Sequence, residues 1–300
     1  MRNRNLYYDL HLHSCHSDGE CSLEEIIKIA KKKRIPGFSI TDHNFQRFTH
    51  KELFNCGRRS GIVIVPGIEI STIYKKQSFH ILGYGKLEPK IVNQFAFSYA
   101  NGYNGRARKI IKNLRKVGIN FSYQEIKDRY PGALYVSKNM IAQFVVEQTR
   151  YQNVQQILKT RNPYQIFFHV KENDNFMLSP KEAISLIIEA NGVPFLAHPG
   201  LFIPNFPEDT KFKENLEKLT NSLVLFKKWG LKGLETEYWF HSPFKRVLFK
   251  NISELLGLFA TGGTDWHGPN WTPEIKIGSK GLSGGEFRKF LKFCKLSEWF

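Results

Sequence analysis

Short apolar runs typical of strands alternate with amphipathic stretches typical of helices along most of the chain. Strand-like runs at 6–12, 37–41 and 62–70 are separated by helical patterns at 22–33 and near 49–59. This alternation predicts parallel strands joined by crossover helices. The same pattern predicts strands at 79–85, 193–197, 233–237 and 256–262, and helices near 180–190, 211–229, 243–255 and 284–294. About seven such units predict an α/β fold, a distorted (βα)7 TIM-like barrel.

Two of the helix starts carry a capping sequence. Ser22 is followed three positions later by Glu25, and Ser179 by Glu182, with proline between them at position 180. In such a capping box the serine hydroxyl and the glutamate carboxylate each accept a backbone N–H that the helix leaves unpaired. Proline at the first helical position supports the second start, because its ring fixes a helical φ angle.

The stretch 101–178 departs from the alternating pattern. It contains helical patterns at 104–117, 123–129, 137–148 and 152–159, with no convincing strand between them. We therefore expect a barrel made of residues 1–100 and 179–300, and a small helical insertion at 101–178 that caps the active site. A cap over the mouth of a barrel is a common place for substrate selection.

Composition supports a soluble globular enzyme. The chain has 300 residues, of which 41% are hydrophobic and 24% charged, enough to form one large core with a smaller inserted unit. No apolar stretch reaches the roughly 18 residues that cross a bilayer. Polar residues interrupt the basic N-terminus too early for a signal peptide. The four cysteines form no CxxC pair, so we expect reduced thiols and a cytoplasmic location.

The chain is strongly basic. Its 44 Lys and Arg residues against 27 Asp and Glu give a formal charge of +17. Such a charge favours polyanionic partners and rapid capture of anionic substrates. Many of the lysines lie in helical stretches, where a solvated basic face explains them equally well. Charge alone therefore does not identify the partner, and the sequence does not specify an oligomeric state.

Histidine and carboxylate residues recur where apolar runs give way to turns. His11 and His13 lie two positions apart on a predicted strand, so their side chains share a face and can chelate one ion. Asp265 and His267 repeat this spacing after a predicted Thr-Gly-Gly turn, whose glycines allow close backbone approach. Glu69 lies within an apolar strand, where a cation or a buried base must neutralise it, and a metal fits better.

Other polar residues have ordinary structural explanations when taken singly. Asp18 precedes a glycine, as turn aspartates often do. Asp42 could cap a helix or orient the neighbouring His43. His80 and His198 end or follow apolar runs, a position in which a histidine is more often hydrogen-bonded in the core than bound to a metal.

Taken in order, these fragments resemble the motifs of one family. The fragments are HLHSCHSDG at 11–19, TDH at 41–43, the region from Glu69 to His80, AHPG at 197–200 and TGGTDWHG at 261–268. The chain resembles the PHP (polymerase and histidinol phosphatase) family of phosphoesterases from residue 9 to about 278. The resemblance implies a distorted (βα)7 barrel that holds up to three divalent ions at the carboxyl ends of its strands.

The resemblance also implies the ligands. The first ion would be held by His11, His13, Glu69 and Asp265, the second by Glu69, His80 and His198, and the third by Asp18, His43 and His267. Mixed histidine and carboxylate sites accept Mn, Fe or Zn, so we expect two or three such divalent ions. Close ions lower the pKa of a bridging water and clamp a phosphate. We hypothesise phosphoester hydrolysis by a metal-bridging hydroxide, with Glu69 and Asp265 as the central carboxylates.

Three basic residues of the insertion are candidate phosphate ligands. Arg106 and Arg108 lie on a helix that resembles the family segment offering arginine to a substrate phosphate, although a solvated amphipathic helix is the plainer explanation. Lys138 stands where close relatives often have arginine, and lysine lacks the bidentate fork of arginine. His241 matches a histidine common in the family and could bind phosphate or donate a proton, or be a surface residue.

The insertion looks most like that of one branch of the family. Segments GRARKI, VSKNMIAQ and IEANGVPFLAHPG follow one another as in nucleoside 3′,5′-bisphosphate phosphatases and 5′-to-3′ exonucleases acting on short RNA or DNA. The resemblance therefore implies a phosphorylated small molecule or a short nucleic acid as substrate. One alternative is a phosphomonoesterase of small metabolites, such as a histidinol phosphatase. A second is a non-hydrolytic module that binds nucleic acid or serves a polymerase.

Overall fold

Seven strands form one sheet in chain order, β1 to β7. The computed structural model describes residues 7–158, 161–170, 175–271 and 274–299. The strands are β1 (Asp9–Leu12), β2 (Gly37–Ile40), β3 (Val63–Tyr74), β4 (Gln77–Gly85), β5 (Gly192–Leu196), β6 (Gly233–Tyr238) and β7 (Phe259–Gly263). Each predicted strand is present. Residue 6 of the first predicted strand and residue 159 of the predicted helix at 152–159 lie outside the described residues.

The sheet closes almost completely into a barrel. Beyond the end of β7, the backbone N–H of Asp265 donates to the carbonyl of His11, and the N–H of His13 donates to Trp266, at 2.8 and 2.9 Å. Gly263 makes this approach possible, because a Cβ there would lie 2.4 Å from the Cβ of His11. The predicted α/β barrel is confirmed. The predicted Thr-Gly-Gly turn is wrong, since these residues belong to β7, but the close approach is present.

One strand runs against the others. β4 is antiparallel to both β3 and β5, whereas the remaining neighbours are parallel. The prediction of parallel strands throughout is therefore wrong at β4. The reason is local: β3 continues to Tyr74, and Lys75 and Lys76 turn the chain with φ angles of 49° and 66°. Two residues with positive φ make a tight hairpin and leave no room for a crossover helix.

Helices surround the sheet and form a separate helical segment. They are α1 (Leu23–Lys33), α2 (His50–Ser60), α3 (Pro89–Val92), α4 (Ala96–Arg115), α5 (Tyr123–Arg129), α6 (Lys138–Glu147), α7 (Val154–Leu158), α8 (Pro180–Glu189), α9 (Phe212–Lys228), α10 (Pro243–Leu256) and α11 (Gly284–Phe293), with 3-10 turns at Gln165–Phe168, Pro199–Phe202 and Ser297–Trp299. Both predicted capping boxes are present. Within the described part of the chain, no helix has the length and apolar character needed to cross a membrane.

The helical segment, α4 to α7 with the turn at Gln165–Phe168, has its own apolar core. Ile110, Ile126 and Ile141 from three of its helices are buried there, and Trp271 from the barrel side joins them. Helix α4 begins eight residues before the predicted start at 104. Its first turns pack on the barrel, where Tyr99 is buried in the main core. Helix α4 thus crosses residue 100, and the division into a barrel and an active-site cap stays a prediction.

The Asp9 carboxylate joins the start of β1 to the chain that follows β7. It accepts hydrogen bonds from the backbone N–H and the hydroxyl of Thr264, at 2.8 and 2.6 Å, and from the N–H of Gly278 at 2.8 Å. Burial raises the pKa of Asp9 to about 6, although these donors favour the charged form. This side chain therefore helps to hold the two ends of the barrel sheet together.

We expect Asp9→Ala to lower the free energy of unfolding by about 3 kcal/mol, because it leaves buried donors without an acceptor. The exposed Asp128→Ala is the control and should change the free energy by less than about 0.5 kcal/mol. Urea unfolding of the metal-free proteins at pH 7.5 measures both. Equal unfolding free energies for the two variants would show that Asp9 does not hold the barrel closed.

Candidate metal centre

The predicted metal ligands lie together at one end of the barrel. Strands β1, β3 and β4 carry some of them, and the segments that follow β1, β2, β5 and β7 carry the others. Contacts of 4.0 Å or less join all nine into one cluster: His11, His13, Asp18, His43, Glu69, His80, His198, Asp265 and His267. Parallel strands deliver side chains to this edge because their carboxyl ends meet there.

Glu69 lies at the centre of the cluster and is fully buried. Its two carboxylate oxygens are 2.9–3.3 Å from ring nitrogens of five histidines: His11, His13, His43, His80 and His198. Asp265 lies beside it, with Oδ1 3.0 Å from His13 Nε2 and 3.5 Å from His11 Nε2. Asp18 forms a second focus, where Oδ1 lies 3.4 Å from His267 Nε2 and 3.9 Å from His43 Nε2.

The atoms that face one another in the cluster are buried and unsatisfied. Within the described residues, the following have no hydrogen-bond partner: His11 Nε2, both ring nitrogens of His13, Asp18 Oδ1, His43 Nδ1, Glu69 Oε2, His198 Nδ1 and His267 Nε2. Buried polar atoms are rarely left unpaired in folded proteins. Nitrogen and carboxylate oxygen atoms are also the donors that Zn, Mn and Fe prefer. The cluster could therefore hold metal ions.

The potential ligand atoms form three groups, and within each group all of them lie within 4.8 Å of one another. The groups are His11, His13, Glu69 and Asp265; His13, Asp18, His43 and His267; and His43, Glu69 and His80. The first is the set that the family resemblance implied. The second contains the implied set of Asp18, His43 and His267, with His13 added. The third has His43 in place of His198, although His198 Nε2 lies 3.0 Å from Glu69. The assignment of residues to individual ions stays a prediction.

Residues behind the cluster fix its orientation. Glu235 Oε1 lies 3.0 Å from His11 Nδ1, and its Oε2 accepts the backbone N–H of His198 at 2.7 Å. A carboxylate can only accept here, so His11 Nδ1 carries the proton and Nε2 faces Glu69 as a potential ligand. The hydroxyl of Tyr238 donates to Asp265 Oδ2 at 3.1 Å. Sequence reasoning missed the contact of Tyr238 with Asp265.

Asp42 has a role different from both alternatives considered for it. Its carboxylate accepts the backbone N–H and the hydroxyl of Ser14, at 2.7 and 2.6 Å, and the hydroxyl of Ser17 at 2.7 Å. It therefore neither caps a helix nor orients His43. Instead it fastens the loop that leads from β1 to Asp18.

Asn139 connects the helical segment directly to the cluster. Its amide nitrogen donates to Asp18 Oδ2 at 2.7 Å, and the hydroxyl of Ser137 lies 3.5 Å from the same oxygen. Both residues belong to the start of α6, where the helix dipole also favours a negative charge. Sequence reasoning missed Asn139, because the segment was interpreted only through its neighbour Lys138.

The candidate phosphate ligands lie in different surroundings. The guanidinium of Arg106, which is half-buried, lies 5.3 Å from the ring centre of Tyr103 and 5.4 Å from that of Phe176. Arg108 is exposed and stacks over Tyr123 at 3.9 Å, facing away from Arg106. Lys138 is half-buried at the first position of α6, next to the two residues that contact Asp18. Their contact with phosphate stays a prediction.

His241 is a buried structural residue, with a side chain only 2% exposed. Its Nδ1 donates to the carbonyl of Thr236 at 2.9 Å, and its Nε2 accepts the backbone N–H of Gly200 at 3.0 Å. Burial lowers its pKa to about 3. Because the backbone engages both ring nitrogens, neither is open to a phosphate. His241 supports the turn after His198 and is not placed as a catalytic group.

Protons and cations compete for the cluster. Burial opposes the charged form of His13, but the nearby carboxylates of Asp265 and Glu69, 3.0 and 3.3 Å from its Nε2, outweigh it and raise the pKa of His13 to about 10. Burial likewise opposes charge on His11, yet Glu69, Glu235 and Asp265 together hold its pKa well above the ordinary value. The carboxylates thus attract positive charge into the site, and without metal that charge is carried by protons.

The fold and the site together define a barrel protein with a histidine and carboxylate cluster that could hold metal ions. The chain belongs to the PHP domain family, whose family model matches residues 9–175, so the family predicted from the motifs is confirmed. A similar protein of Escherichia coli, named 5′-3′ exoribonuclease Rnm, is 24% identical over 289 residues, which span 93% of this chain and 90% of that protein. A 3′,5′-nucleoside bisphosphate phosphatase of Chromobacterium violaceum is 25% identical over 264 residues, 87% of each chain.

Two solved structures share the fold. One is an amidohydrolase from Chromobacterium violaceum with bound sulfate, with a TM-score of 0.76, 23% identity and coverage of 91% of this chain and 90% of that one. The other, from Bifidobacterium adolescentis, is described as a metal-dependent phosphoesterase, with a TM-score of 0.74, 21% identity and 95% coverage of both chains. Both likenesses extend over the barrel and the helical segment.

Metal binding should release protons. Because the pKa values of His11 and His13 are raised, both histidines hold a proton at pH 7 that a metal must displace, so metal affinity rises with pH in this range. We expect about two protons released per protein when Zn²⁺ is added to the metal-free protein at pH 7, measured with a pH indicator in weak buffer. His11→Ala should release about one proton fewer. Zinc binding without proton release would contradict the charge balance described here.

Asn139→Ala should weaken the binding of one ion by about tenfold, as loss of a hydrogen bond to a metal ligand typically does. Asn120→Ala, an exposed asparagine in the same helical segment, is the matched control. Equilibrium dialysis followed by elemental analysis counts the bound ions independently of activity. If both variants bind metal as the unmodified protein does, Asn139 does not orient Asp18.

Proposed function

We propose that this protein is a metal-dependent phosphoesterase that hydrolyses phosphate esters of nucleotides or short oligonucleotides. The observation that carries the proposal is the group of buried, unpaired histidine nitrogens and carboxylate oxygens around Glu69. The names of the similar proteins, an exoribonuclease and a nucleoside bisphosphate phosphatase, favour this substrate class. A net charge of +17 favours an anionic substrate.

The ligand residues would hold two or three divalent ions, Mn, Fe or Zn. Bound there, such ions supply an activated water and neutralise charge on the phosphate. His11, His13, Glu69 and Asp265 would hold one ion, and Asp18, His43 and His267 another. His80 and His198 would complete a third site around Glu69.

The chain's own residues contribute orientation and charge balance. Glu235 keeps His11 in the tautomer whose Nε2 faces Glu69. Tyr238 binds one oxygen of Asp265 and leaves the other directed at His13. Asp18, Glu69, Asp265 and the adjoining Glu235 contribute four negative charges, fewer than the six positive charges of three divalent ions. The loaded site would therefore be cationic and attract a phosphate.

Arg106 and Lys138 are the better placed of the basic candidates for a substrate phosphate. Lys138 directly precedes Asn139, whose amide contacts Asp18. Arg106 lies over Tyr103, whose ring stacks on Tyr135 at 4.5 Å, and Tyr135 in turn hydrogen-bonds Asn44, next to His43. The guanidinium of Arg108 instead lies over the ring of Tyr123, so we rank Arg108 below the other two as a phosphate ligand.

A panel of substrates tests the proposal. The protein, reconstituted separately with Mn²⁺, Fe²⁺ or Zn²⁺, is offered 5′-phosphorylated RNA, 5′-phosphorylated DNA, a nucleoside 3′,5′-bisphosphate and histidinol phosphate. We expect release of phosphate or nucleotide from the nucleotide substrates. This activity should be lost when the metal is chelated, and it should also be lost in the variants Asp265→Asn and His11→Ala. Turnover of histidinol phosphate alone would show that the substrates are small-metabolite phosphomonoesters and not nucleotides. Full activity after chelation would reject the metal-dependent reaction.

A further inference from the structure

A cavity of about 170 Å³ lies beside the metal cluster, between α7 of the helical segment and the segments that follow β5 and β6. Cluster residues form part of its lining, among them His43, His80 and Asp265. Leu158, Leu201 and Phe240 also line it. The cavity thus combines ionisable and apolar side chains.

Two of the apolar lining residues belong to the same segments that present the cluster. Leu201 follows His198 by three residues, and Phe240 follows Tyr238 by two. Both side chains are large and apolar, yet Leu201 is 48% exposed and Phe240 39%. A phosphate and its metal ions need polar contacts alone. Exposed apolar side chains at such a site indicate that part of the ligand is uncharged and flat or apolar.

Gln155 adds a polar group to the lining of the cavity. It lies on α7 and lines the cavity, and its Oε1 is buried with no hydrogen-bond partner among the described residues. A glutamine amide offers a donor and an acceptor side by side. The edge of a nucleobase presents the complementary pair. An unpaired buried amide oxygen here therefore points to a ligand with such an edge.

We propose that this cavity binds the base of the terminal nucleotide whose phosphate lies at the metal cluster. Phe240 and Leu201 pack on the base, and the Gln155 amide hydrogen-bonds its edge. This inference rests on the proposed function and deepens it, because it assigns residues that separate nucleotide substrates from phosphate esters without a base. Packing on aromatic side chains is tolerant of base identity, so the cavity accepts several bases.

The preference for a base is measured with a substrate pair. Two 5′-phosphorylated dinucleotides, one with a normal 5′ residue and one abasic at that residue, are compared as a ratio of kcat/KM. We expect the unmodified protein to prefer the normal substrate by about tenfold or more. Phe240→Ala and Gln155→Met should each reduce this ratio several-fold. Phe206→Ala, an apolar residue 70% exposed, and Gln152→Met, an exposed glutamine just before α7, are the matched controls and should keep the ratio.

Binding of a fluorescent base provides a readout independent of hydrolysis. The fluorescence of 2-aminopurine riboside 5′-monophosphate is quenched when its base packs against a protein ring, and the zinc-loaded protein is titrated against it. We expect quenching that adenosine 5′-monophosphate reverses at about tenfold lower concentration than ribose 5-phosphate does. Phe240→Ala should weaken both the quenching and this difference.

The two experiments separate the base site from the reaction. Quenching without hydrolysis of any phosphate ester would reject the proposed function and keep the base site. Hydrolysis with equal rates on normal and abasic substrates, or a preference unchanged in Phe240→Ala and Gln155→Met, would overturn the base site and keep the phosphoesterase. If Phe206→Ala and Gln152→Met also lost the preference for the normal over the abasic substrate, the effect would come from a general distortion of the protein. The proposed base site would then be wrong.

Discussion

The buried negative charge of Glu69 is the constraint on which the rest of the site depends. A carboxylate without compensation is costly inside a barrel, and here nitrogen atoms of five histidines surround it at 2.9–3.3 Å. The neighbouring histidines hold the pKa of Glu69 well below its usual range against the opposing effect of burial. The charge is therefore retained, and positive charge must enter the site, as protons or as metal ions.

The barrel supplies the geometry that this charge requires. Barrel closure places His11 directly beside Gly263. The Asp9 carboxylate stabilises the same junction by accepting the backbone N–H of Thr264. Two cluster residues are held in unusual backbone conformations, with φ of 30° at His198 and 56° at Asp265. Such conformations persist where the surrounding structure fixes them, and they concentrate at functional sites. Two hydrogen bonds provide that support: Glu235 accepts the backbone N–H of His198, and the hydroxyl of Tyr238 donates to the carboxylate of Asp265.

Sequence reasoning succeeded where local chemistry decides the outcome. Alternating apolar patterns located the strands, and the two-residue spacing of His11 and His13 indicated a shared face. One local feature was missed, the tight hairpin at Lys75 that reversed β4. Sequence reasoning also failed where distant segments decide, because contacts between the helical segment and the barrel gave Asn139 its position beside Asp18. His241 matched a family position, yet its backbone partners, invisible in the sequence, make it structural.

Divalent ions should occupy the space between the ligand atoms around Glu69. Anomalous X-ray diffraction from crystals of hydrolytically active, manganese-loaded protein tests for them directly. We predict at least two manganese peaks, one of them about 2.0–2.3 Å from ligand atoms of His11, His13, Glu69 and Asp265. Active crystals with no anomalous peak within ligand distance of Glu69 would contradict it.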